Sequence, residues 1–235
     1  MTDQNSQNNA AAPGHEHLVV ALDGPAGAGK STVAKRVAHE LGVRFLDTGA
    51  MYRAVTLRAL ELGIDPGDHL GLGTLAAGLA LDFNEEGQVL VEGVCLEPAI
   101  RAQAVTSLVS EVSAHGSVRD AVVARQQELG HTWPGLVAEG RDTTTVVFKD
   151  APFKFYMDAS SRERAKRRSK QEGREKEIES IQSDIERRDH YDSSRAHSPL
   201  QVAQDAHVID TDQKSLEEVV HLVLSIIRGD SRDQA

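Results

Sequence analysis

Short apolar runs alternate with segments of helical periodicity between residues 17 and 63. The run "HLVVALDG" is apolar almost throughout and rich in β-branched residues, as a buried parallel strand should be. The next segment, "KSTVAKRVAHELG", has apolar residues at helical spacing and stops at Gly42, a residue suited to the position just past a helix end. A second strand, "VRFLDT", and a second helix, "GAMYRAVTLRALELG", follow with short joins. This order predicts an α/β fold with parallel strands and ligands at their carboxyl ends.

The pattern changes after this first unit. The stretch "LDFNEEGQVLVEGVCL" alternates and has two glycine-centred turns, which predicts a small antiparallel patch. Two helical segments follow, and after the breaker "HTWPG" come two further strands, "LVAEGR" and "FKFYMDAS". A long charged helical region runs from Arg162 to Arg195, before a closing strand, "HVIDT", and helix, "SLEEVVHLVLSII". We therefore expect a five-stranded parallel sheet flanked by helices, an insertion after the second helix, and a basic flap between the last two strands.

Composition adds bounds to this picture. The 235 residues are 40% hydrophobic and 26% charged, an ordinary globular mixture. We interpret the polar ends, 1–16 and 230–235, as flexible tails around one domain, 17–229. With no apolar run near the roughly 20 residues that span a bilayer and no secretion signal, we expect a cytoplasmic protein without a membrane partner. The chain has a single cysteine, Cys95, so an internal disulfide is excluded. The apolar neighbours of Cys95 in the sequence predict that it is a small buried residue.

Charge is distributed unevenly along the chain. The net charge of −10 argues against general binding to nucleic acids. The region 162–195 nevertheless has 11 basic and 9 acidic residues, and the segment "RERAKRRSK" concentrates six of the bases. This pattern favours a small, localised anion as the partner.

The stretch "DGPAGAGKST" predicts that the bound anion is a nucleoside triphosphate. Gly24, Gly27, Gly29, Lys30 and Ser31 match G-x-x-x-x-G-K-[ST] between a strand and a helix, the context that a phosphate loop requires. Its glycines let backbone amides point at phosphate oxygens, and the helix N-terminus adds a positive dipole end. We expect Lys30 to reach the β- and γ-phosphates and Ser31 to bind Mg²⁺. The predicted triphosphate contacts are Gly24, Pro25, Ala26, Gly27, Ala28, Gly29, Lys30, Ser31 and Thr32.

Two later stretches, each at a strand end, are candidates for an acceptor pocket. In "FLDTGAMYR", Thr48 and Gly49 open a helix, and Arg53 lies about one and a half turns further on. They could clasp an anion, or Thr48 could be a plain helix cap with Arg53 in solvent. In "EGRDTTTVVF", Arg141 and Asp142 follow a core strand, where they could bind a ligand or form only a surface ion pair.

The charged region offers two further sets of arginines. Arg188, Asp192 and Arg195 have the spacing i, i+4, i+7, which predicts one helix face with Asp192 orienting both guanidinium groups. A solvated helix is the alternative. Arg164, Arg167 and Arg168 also share a helical face and could swing over the triphosphate to neutralise the moving phosphoryl group. No N-K-x-D motif is present, which argues against a regulatory GTPase.

The chain resembles the bacterial cytidylate kinases from about Leu18 to Ile227. The resemblance is carried by "DGPAGAGKST", "FLDTGAMYR", "GRDTTTVVFKDAP", "DASSRERAKRR" and "RRDHYDSSRAHSPL". It implies transfer of a phosphoryl group from ATP to CMP or dCMP with Mg²⁺, by a monomer with the phosphate-loop nucleoside-monophosphate kinase fold. In that fold a monophosphate-binding part with an insertion spans about 64–120, and a mobile helical lid spans about 160–190.

The resemblance also implies roles for individual residues. The monophosphate would contact Thr48, Arg53, Arg141 and Arg195; the cytosine would contact Ser110, Arg119 and Asp142; and the sugar and phosphate would contact Arg188 and Asp192. The catalytic charges would be Lys30, Arg164, Arg167 and Arg188.

Several questions stay open at this level. From the residues alone, Ser110 is interpreted as a mid-helix serine and Arg119 as a surface charge. Glu139 or Asp142 could hold a Mg²⁺-bound water. The resemblance implies a small or apolar pair where this chain has Thr143 and Thr144, so we expect the hydrogen bonding of their loop to differ from that of the family. A kinase of another acceptor, such as UMP, and a nucleotide-dependent switch remain the rival hypotheses.

Overall fold

The computed structural model describes residues 17–229, so the predicted tails lie outside the described part. Eight strands lie within that range: β1 (Leu18–Asp23), β2 (Arg44–Asp47), β3 (Leu81–Phe83), β4 (Val89–Val91), β5 (Val94–Cys95), β6 (Gly135–Glu139), β7 (Phe153–Asp158) and β8 (His207–Asp210). The α-helices of the same range are α1 (Lys30–Leu41), α2 (Thr48–Leu62), α3 (His69–Gly78), α4 (Gln103–Val112), α5 (Gly116–Thr132), α6 (Ser161–Glu172), α7 (Ile178–Ser194) and α8 (Leu216–Arg228).

Five of these strands form the predicted parallel sheet. Its order is β2-β6-β1-β7-β8, and each neighbouring pair is parallel. The order places β1 at the centre with β6 and β7 on either side. The carboxyl ends of β1, β2 and β6 therefore meet at one edge, which is where a parallel sheet binds its ligands.

The central strand explains why the sheet is covered on both faces. All six residues of β1 are buried. Val19 and Ala21 pack in the core layer with α2, α4 and α5, whereas Val20 and Leu22 pack in the opposite layer with α1 and α8. Because side chains alternate across a strand, an unbroken apolar run serves two cores at once.

Helix ends follow the predicted glycines. Gly42 and Gly63 adopt left-handed φ angles of 66° and 67°, and their amides donate to carbonyls of the preceding turn. Such a conformation favours glycine, which has no Cβ to clash.

The insertion is partly as predicted. Strands β3, β4 and β5 form the expected antiparallel patch. The pattern did not predict α3, whose sequence "HLGLGTLAAG" is rich in glycine; the Asp68 side chain caps it by accepting from the Gly71 amide. The prediction for Cys95 was wrong, since this thiol is exposed. It belongs to a two-residue strand whose residues both face solvent, so its apolar neighbours in sequence do not surround it in space.

The charged region forms two helices instead of one. α6 ends at Glu172 and is capped by Gly173, which has a φ of 65°, and α7 begins at Ile178. The two helices pack around a small core of their own, formed by Ala165, Ile181 and Ile185. In residues 17–229, no helix is both long and apolar enough to cross a membrane.

Candidate functional site

A cleft of about 530 Å³ lies at the carboxyl ends of β1, β2 and β6. The glycine-rich loop forms one side of it. Gly24 has a φ of 146°, and a Cβ there would lie 2.0 Å from the Met157 carbonyl oxygen. Gly29 also has a positive φ, 89°, directly before α1. The motif therefore requires glycine at these positions for steric reasons, as well as for its approach to a ligand.

The N-terminus of α1 faces this cleft. No side chain in the described part of the chain caps it. Because the first amides of a helix have no partner within the helix, they are available to an anion, and the helix dipole favours negative charge there. Gly27, Gly29, Lys30, Ser31 and Thr32 line the cleft at this point.

Lys30 is buried, and none of its hydrogen bonds within residues 17–229 goes to a carboxylate. Its Nζ donates to the Pro25 carbonyl at 2.8 Å. Burial, together with repulsion from Arg141, lowers the pKa of Lys30 to about 7. A bound triphosphate would favour the charged form, so the loop suits an anionic ligand.

Ser31 and Glu139 supply oxygen atoms beside the loop. The Ser31 hydroxyl donates to Glu139 Oε1 at 2.5 Å. Burial, reinforced by Asp47, raises the pKa of Glu139. A hydroxyl and a carboxylate are ligands that Mg²⁺ accepts, so this pair fits the ion that the family implies. Of the two carboxylates proposed for a metal-bound water, Glu139 is the one beside Ser31; Asp142 is paired with Arg119.

The opposite side of the cleft starts at α2. Asp47, not Thr48, caps this helix by accepting from the Ala50 amide at 2.9 Å. The Thr48 hydroxyl instead donates to the Glu139 carbonyl at 2.7 Å, which ties α2 to β6. Arg53 donates to the Thr106 hydroxyl at 2.9 Å and lines the cleft. The alternative in which Arg53 lies in solvent is therefore excluded.

Asp192 is the centre of an arginine cluster. Its Oδ2 accepts from Arg141 Nε at 3.1 Å. The guanidinium groups of Arg188 and Arg195 lie at 3.9 and 4.0 Å from its carboxylate. Arg195 is outside α7, which ends at Ser194, so the three predicted residues meet although they do not share one helix face. The partner that the spacing did not indicate is Arg141.

Two arginines on this side of the cleft are destabilised in their charged form, although Asp192 and Glu139 raise the pKa of Arg141. Burial, with repulsion from Arg101, lowers the pKa of Arg53 to about 10. Burial, with repulsion from Arg141, lowers the pKa of Arg188 to about 10 as well. Both shifts mean that the charged arginines are destabilised where they stand. A bound phosphate would relieve this, so the cluster is suited to a second anion.

Two of the three residues predicted to contact the base, Arg119 and Asp142, are joined to each other. Arg119 Nη2 forms a very short hydrogen bond to Asp142 Oδ2, and both side chains are buried. Arg119 also donates to the Ser113 carbonyl at 3.2 Å. Ser110 lies in the lining of the same part of the cleft. The Arg141–Asp142 pair is therefore no surface ion pair, because each residue has a different partner.

The lid arginines separate into two groups. Arg167 and Arg168 line the cleft. Arg164 lies outside its lining and is buried; it donates to the Ala26 and Ala159 carbonyls at 2.9 Å and pairs with Asp189. The predicted residues in the cleft lining are Ala26, Gly27, Gly29, Lys30, Ser31, Thr32, Thr48, Arg53, Ser110, Arg119, Glu139, Arg141, Asp142, Arg167, Arg168, Arg188, Asp192 and Arg195, while Gly24, Pro25, Ala28 and Arg164 are not part of it.

Some lining residues were missed by the motifs. Arg101 reaches the cleft and donates to Asp47 at 3.0 Å. Tyr52 lies under the Arg119 guanidinium, with 5.1 Å from the Arg119 Cζ to its ring centroid, and its hydroxyl has no hydrogen-bond partner within residues 17–229. Tyr52 lies within the stretch "FLDTGAMYR" and directly precedes Arg53, so its position in the sequence could have indicated that it lines the cleft. No sequence motif indicated Arg101.

Comparison with known proteins agrees with this geometry. The family model described as Cytidylate kinase matches residues 20–229. A cytidylate kinase of Clostridium botulinum is 43% identical over 91% of this chain and 99% of its own length. One of Shouchella clausii is 45% identical over 91% of this chain and 97% of its own. A solved structure of an uncharacterized protein from Eubacterium ventriosum has a TM-score of 0.51 at 13% identity, covering 92% and 99% of the two chains, and shows the fold alone.

Proposed function

The chain belongs to the cytidylate kinase family, and we propose that it transfers the γ-phosphoryl group of ATP to CMP or dCMP. The products are ADP and CDP or dCDP. The observation that carries the proposal is that the predicted donor loop and the arginine cluster line one and the same cleft. Phosphoryl transfer depends mainly on such positioning and on charge stabilisation.

On the donor side, the first amides of α1 and the Lys30 ammonium hold the triphosphate. Lys30 is buried, so its charge acts in a medium of low polarity and stabilises the developing negative charge strongly. Ser31 and Glu139 would hold Mg²⁺, which when bound supplies a positive charge that screens the phosphate oxygens.

On the acceptor side, Arg53, Arg141, Arg188 and Arg195 hold the monophosphate, with Thr48 at the start of α2. Asp192 orients Arg141 directly and keeps the other guanidinium groups nearby. The acceptor phosphate oxygen is already a nucleophile, so no general base is required. Residues that align it with the γ-phosphorus provide the main acceleration.

The lid supplies further charge. Arg167 and Arg168 face the cleft, where they can stabilise the moving phosphoryl group once the lid closes and excludes water. Arg164, which grips the Ala26 carbonyl, supports catalysis by shaping the phosphate loop from behind. Arg188 contacts both the acceptor and the transferring group.

Base selection rests on the buried Arg119–Asp142 pair, with Ser110 beside it. The guanidinium donates and the carboxylate accepts, so together they present the two kinds of hydrogen-bonding group that a pyrimidine edge requires. A neutral apolar pocket would not distinguish cytosine from uracil in this way.

An acceptor panel tests the proposal. Initial rates with Mg·ATP and equal concentrations of CMP, dCMP, UMP and AMP are compared, with ADP release as the readout. We expect CMP and dCMP to be the fastest acceptors. If UMP or AMP clearly exceeds CMP, the substrate assignment is wrong. Slow hydrolysis without stimulation by any acceptor would favour the nucleotide-dependent switch.

We also propose that the protein acts as a monomer in the cytoplasm on these small molecules. Residues of one chain form both sides of the cleft, so the proposed reaction does not need a second copy. Sedimentation at several protein concentrations measures the oligomeric state, and a constant monomer mass is expected.

A further inference from the structure

The Asp23 carboxylate is buried where β1 ends, directly before the glycine-rich loop. Its Oδ1 accepts from the Thr143 amide at 2.9 Å and from the Thr143 hydroxyl at 2.7 Å. Its Oδ2 accepts from the Thr144 amide at 2.7 Å and from the Thr144 hydroxyl at 2.5 Å. One carboxylate thus receives four hydrogen bonds from two consecutive threonines.

Two of these bonds satisfy the first amides of a short helical turn with a carboxylate from another element, β1. Residues Thr143–Val147 form that turn, and Asp142 occupies its N-cap position. An aspartate at this position ordinarily accepts hydrogen bonds from the first amides of its own helix. In the described part of the chain the Asp142 side chain makes no such bond. Asp23 takes the amides of Thr143 and Thr144 instead.

As a consequence, the Asp142 carboxylate is not used to cap its own turn. Because its own turn does not need it, Asp142 faces the acceptor side, where it pairs with Arg119 and lies 3.7 Å from Arg195. Asp23, Thr143 and Thr144 stay outside the cleft lining themselves. They therefore act on a ligand only through another residue.

We propose that Asp23, Thr143 and Thr144 form a positioning clamp, which keeps the Asp142 carboxylate turned toward Arg119 in the acceptor cleft. The clamp sets affinity for the pyrimidine nucleotide and not for the triphosphate. It rests on the proposed function only for the identity of that nucleotide.

The clamp also gives the two buried threonine hydroxyls a structural role. Asp23, Thr143 and Thr144 are all fully or almost fully buried. A buried carboxylate must have its oxygens satisfied, and two amides alone leave lone pairs open. The hydroxyls fill them. We expect a weakened set to let the turn's amides compete with Arg119 for the carboxylate of Asp142, the N-cap residue of the turn.

Thr144→Val tests the clamp, because it removes one hydroxyl and keeps the shape of the side chain. We expect the Kd for CMP, measured by calorimetry, to rise about tenfold, as for loss of one hydrogen bond to a charged group. The Kd for ATP should stay within about twofold, and Thr144→Ser should restore CMP binding. Thr143→Val, measured in parallel, should behave as Thr144→Val does, and serves if the latter does not fold.

The neighbouring threonine provides the matched control. The Thr145 hydroxyl has no hydrogen-bond partner within residues 17–229. Thr145→Val should therefore leave CMP affinity unchanged. Equal CMP affinities in folded Thr144→Val and Thr145→Val would overturn the clamp. A wild-type protein that fails to phosphorylate CMP would instead refute the proposed function, so the two failures are distinguishable.

A double-mutant cycle separates positioning from plain structural support. In an Asp142→Ala background, the clamp has no carboxylate left to position. We expect Thr144→Val to cause no further loss of CMP affinity there. If Thr144→Val lowers CMP affinity by the same factor in the wild-type and the Asp142→Ala background, Thr144 acts independently of Asp142, and the inference is wrong.

Discussion

The donor side of the cleft comes from one short stretch, Ala26–Thr32, whereas the acceptor side takes its charged residues from several distant parts of the chain. Arg53 belongs to α2, Arg119 to α5 and Arg188 to α7. The proposed donor loop would bind with backbone amides and a single lysine, for which a local motif suffices. The acceptor side needs converging side chains, which only the folded sheet edge brings together. Substitutions on the two sides should therefore have separable effects.

Lys30→Met should have the largest effect. It removes the buried charge on the donor side, and we expect kcat to fall about 10³-fold. The loss should include weaker binding of ATP, while the Kd for CMP changes little. Steady-state rates and calorimetry measure both quantities.

Lys35→Met is the matched control for this substitution, because Lys35 is exposed on the same helix. Its kcat should equal that of the wild type. A Lys30→Met protein with a near-normal rate would remove the donor side from the mechanism.

Arg141→Ala should have the next largest effect and the opposite selectivity. It removes the residue that Asp192 holds at 3.1 Å. We expect kcat/KM for CMP to fall about 10²-fold, with the Kd for ATP within about twofold. Comparison of acceptor kinetics with direct ATP binding measures the difference between the two sides.

Arg187→Ala provides the control, since the Arg187 side chain is 79% exposed on α7 next to Arg188. It should keep wild-type kinetics. Equal losses of ATP and CMP affinity in Arg141→Ala would contradict the separation of donor and acceptor sides.

The smallest expected effect is a proton taken up when ATP binds. Burial lowers the pKa of Lys30 to about 7 in the free protein, and the triphosphate should raise it. At about pH 8 Lys30 in the free protein is mainly neutral and becomes charged when ATP binds, so up to about one proton per ATP is taken up. Well below pH 7 Lys30 is already charged in the free protein, and the uptake should vanish. Calorimetry with Mg·ATP in buffers of different ionisation enthalpy measures this.

Two variants sharpen this measurement. Lys30→Met should abolish the uptake, whereas Arg141→Ala should reduce it, because loss of the neighbouring charge raises the pKa of Lys30 in the free protein. Proton uptake that persists in Lys30→Met would assign it to another group.

Much of the fold was predictable because its signals are local. Apolar runs predicted the five strands, and Gly42 and Gly63 predicted two helix ends. The failures were also local in origin. Cys95 has apolar neighbours in sequence but lies on an exposed two-residue strand. The glycine-rich α3 depends on its packing against α5 more than on helix propensity.

The acceptor side shows a different limit. Arg119 by itself indicated only a surface charge, although it is buried against Asp142. The resemblance to a family placed it correctly in the cleft, while periodicity could not. For Arg164, position on a helix face suggested the cleft, but its contacts with Ala26 and Asp189 place it behind the loop.

By itself the sequence determined the α/β order, the glycine-rich loop and the residue types able to hold two anions. These features depend on near neighbours, through steric limits on φ, side-chain alternation and helix spacing. Only the tertiary structure decided which polar side chains pair: Asp192 with Arg141, Asp142 with Arg119, and Asp23 with Thr143 and Thr144. Such pairings join residues far apart in the chain, and burial that makes them strong exists only once the sheet and its two layers have formed.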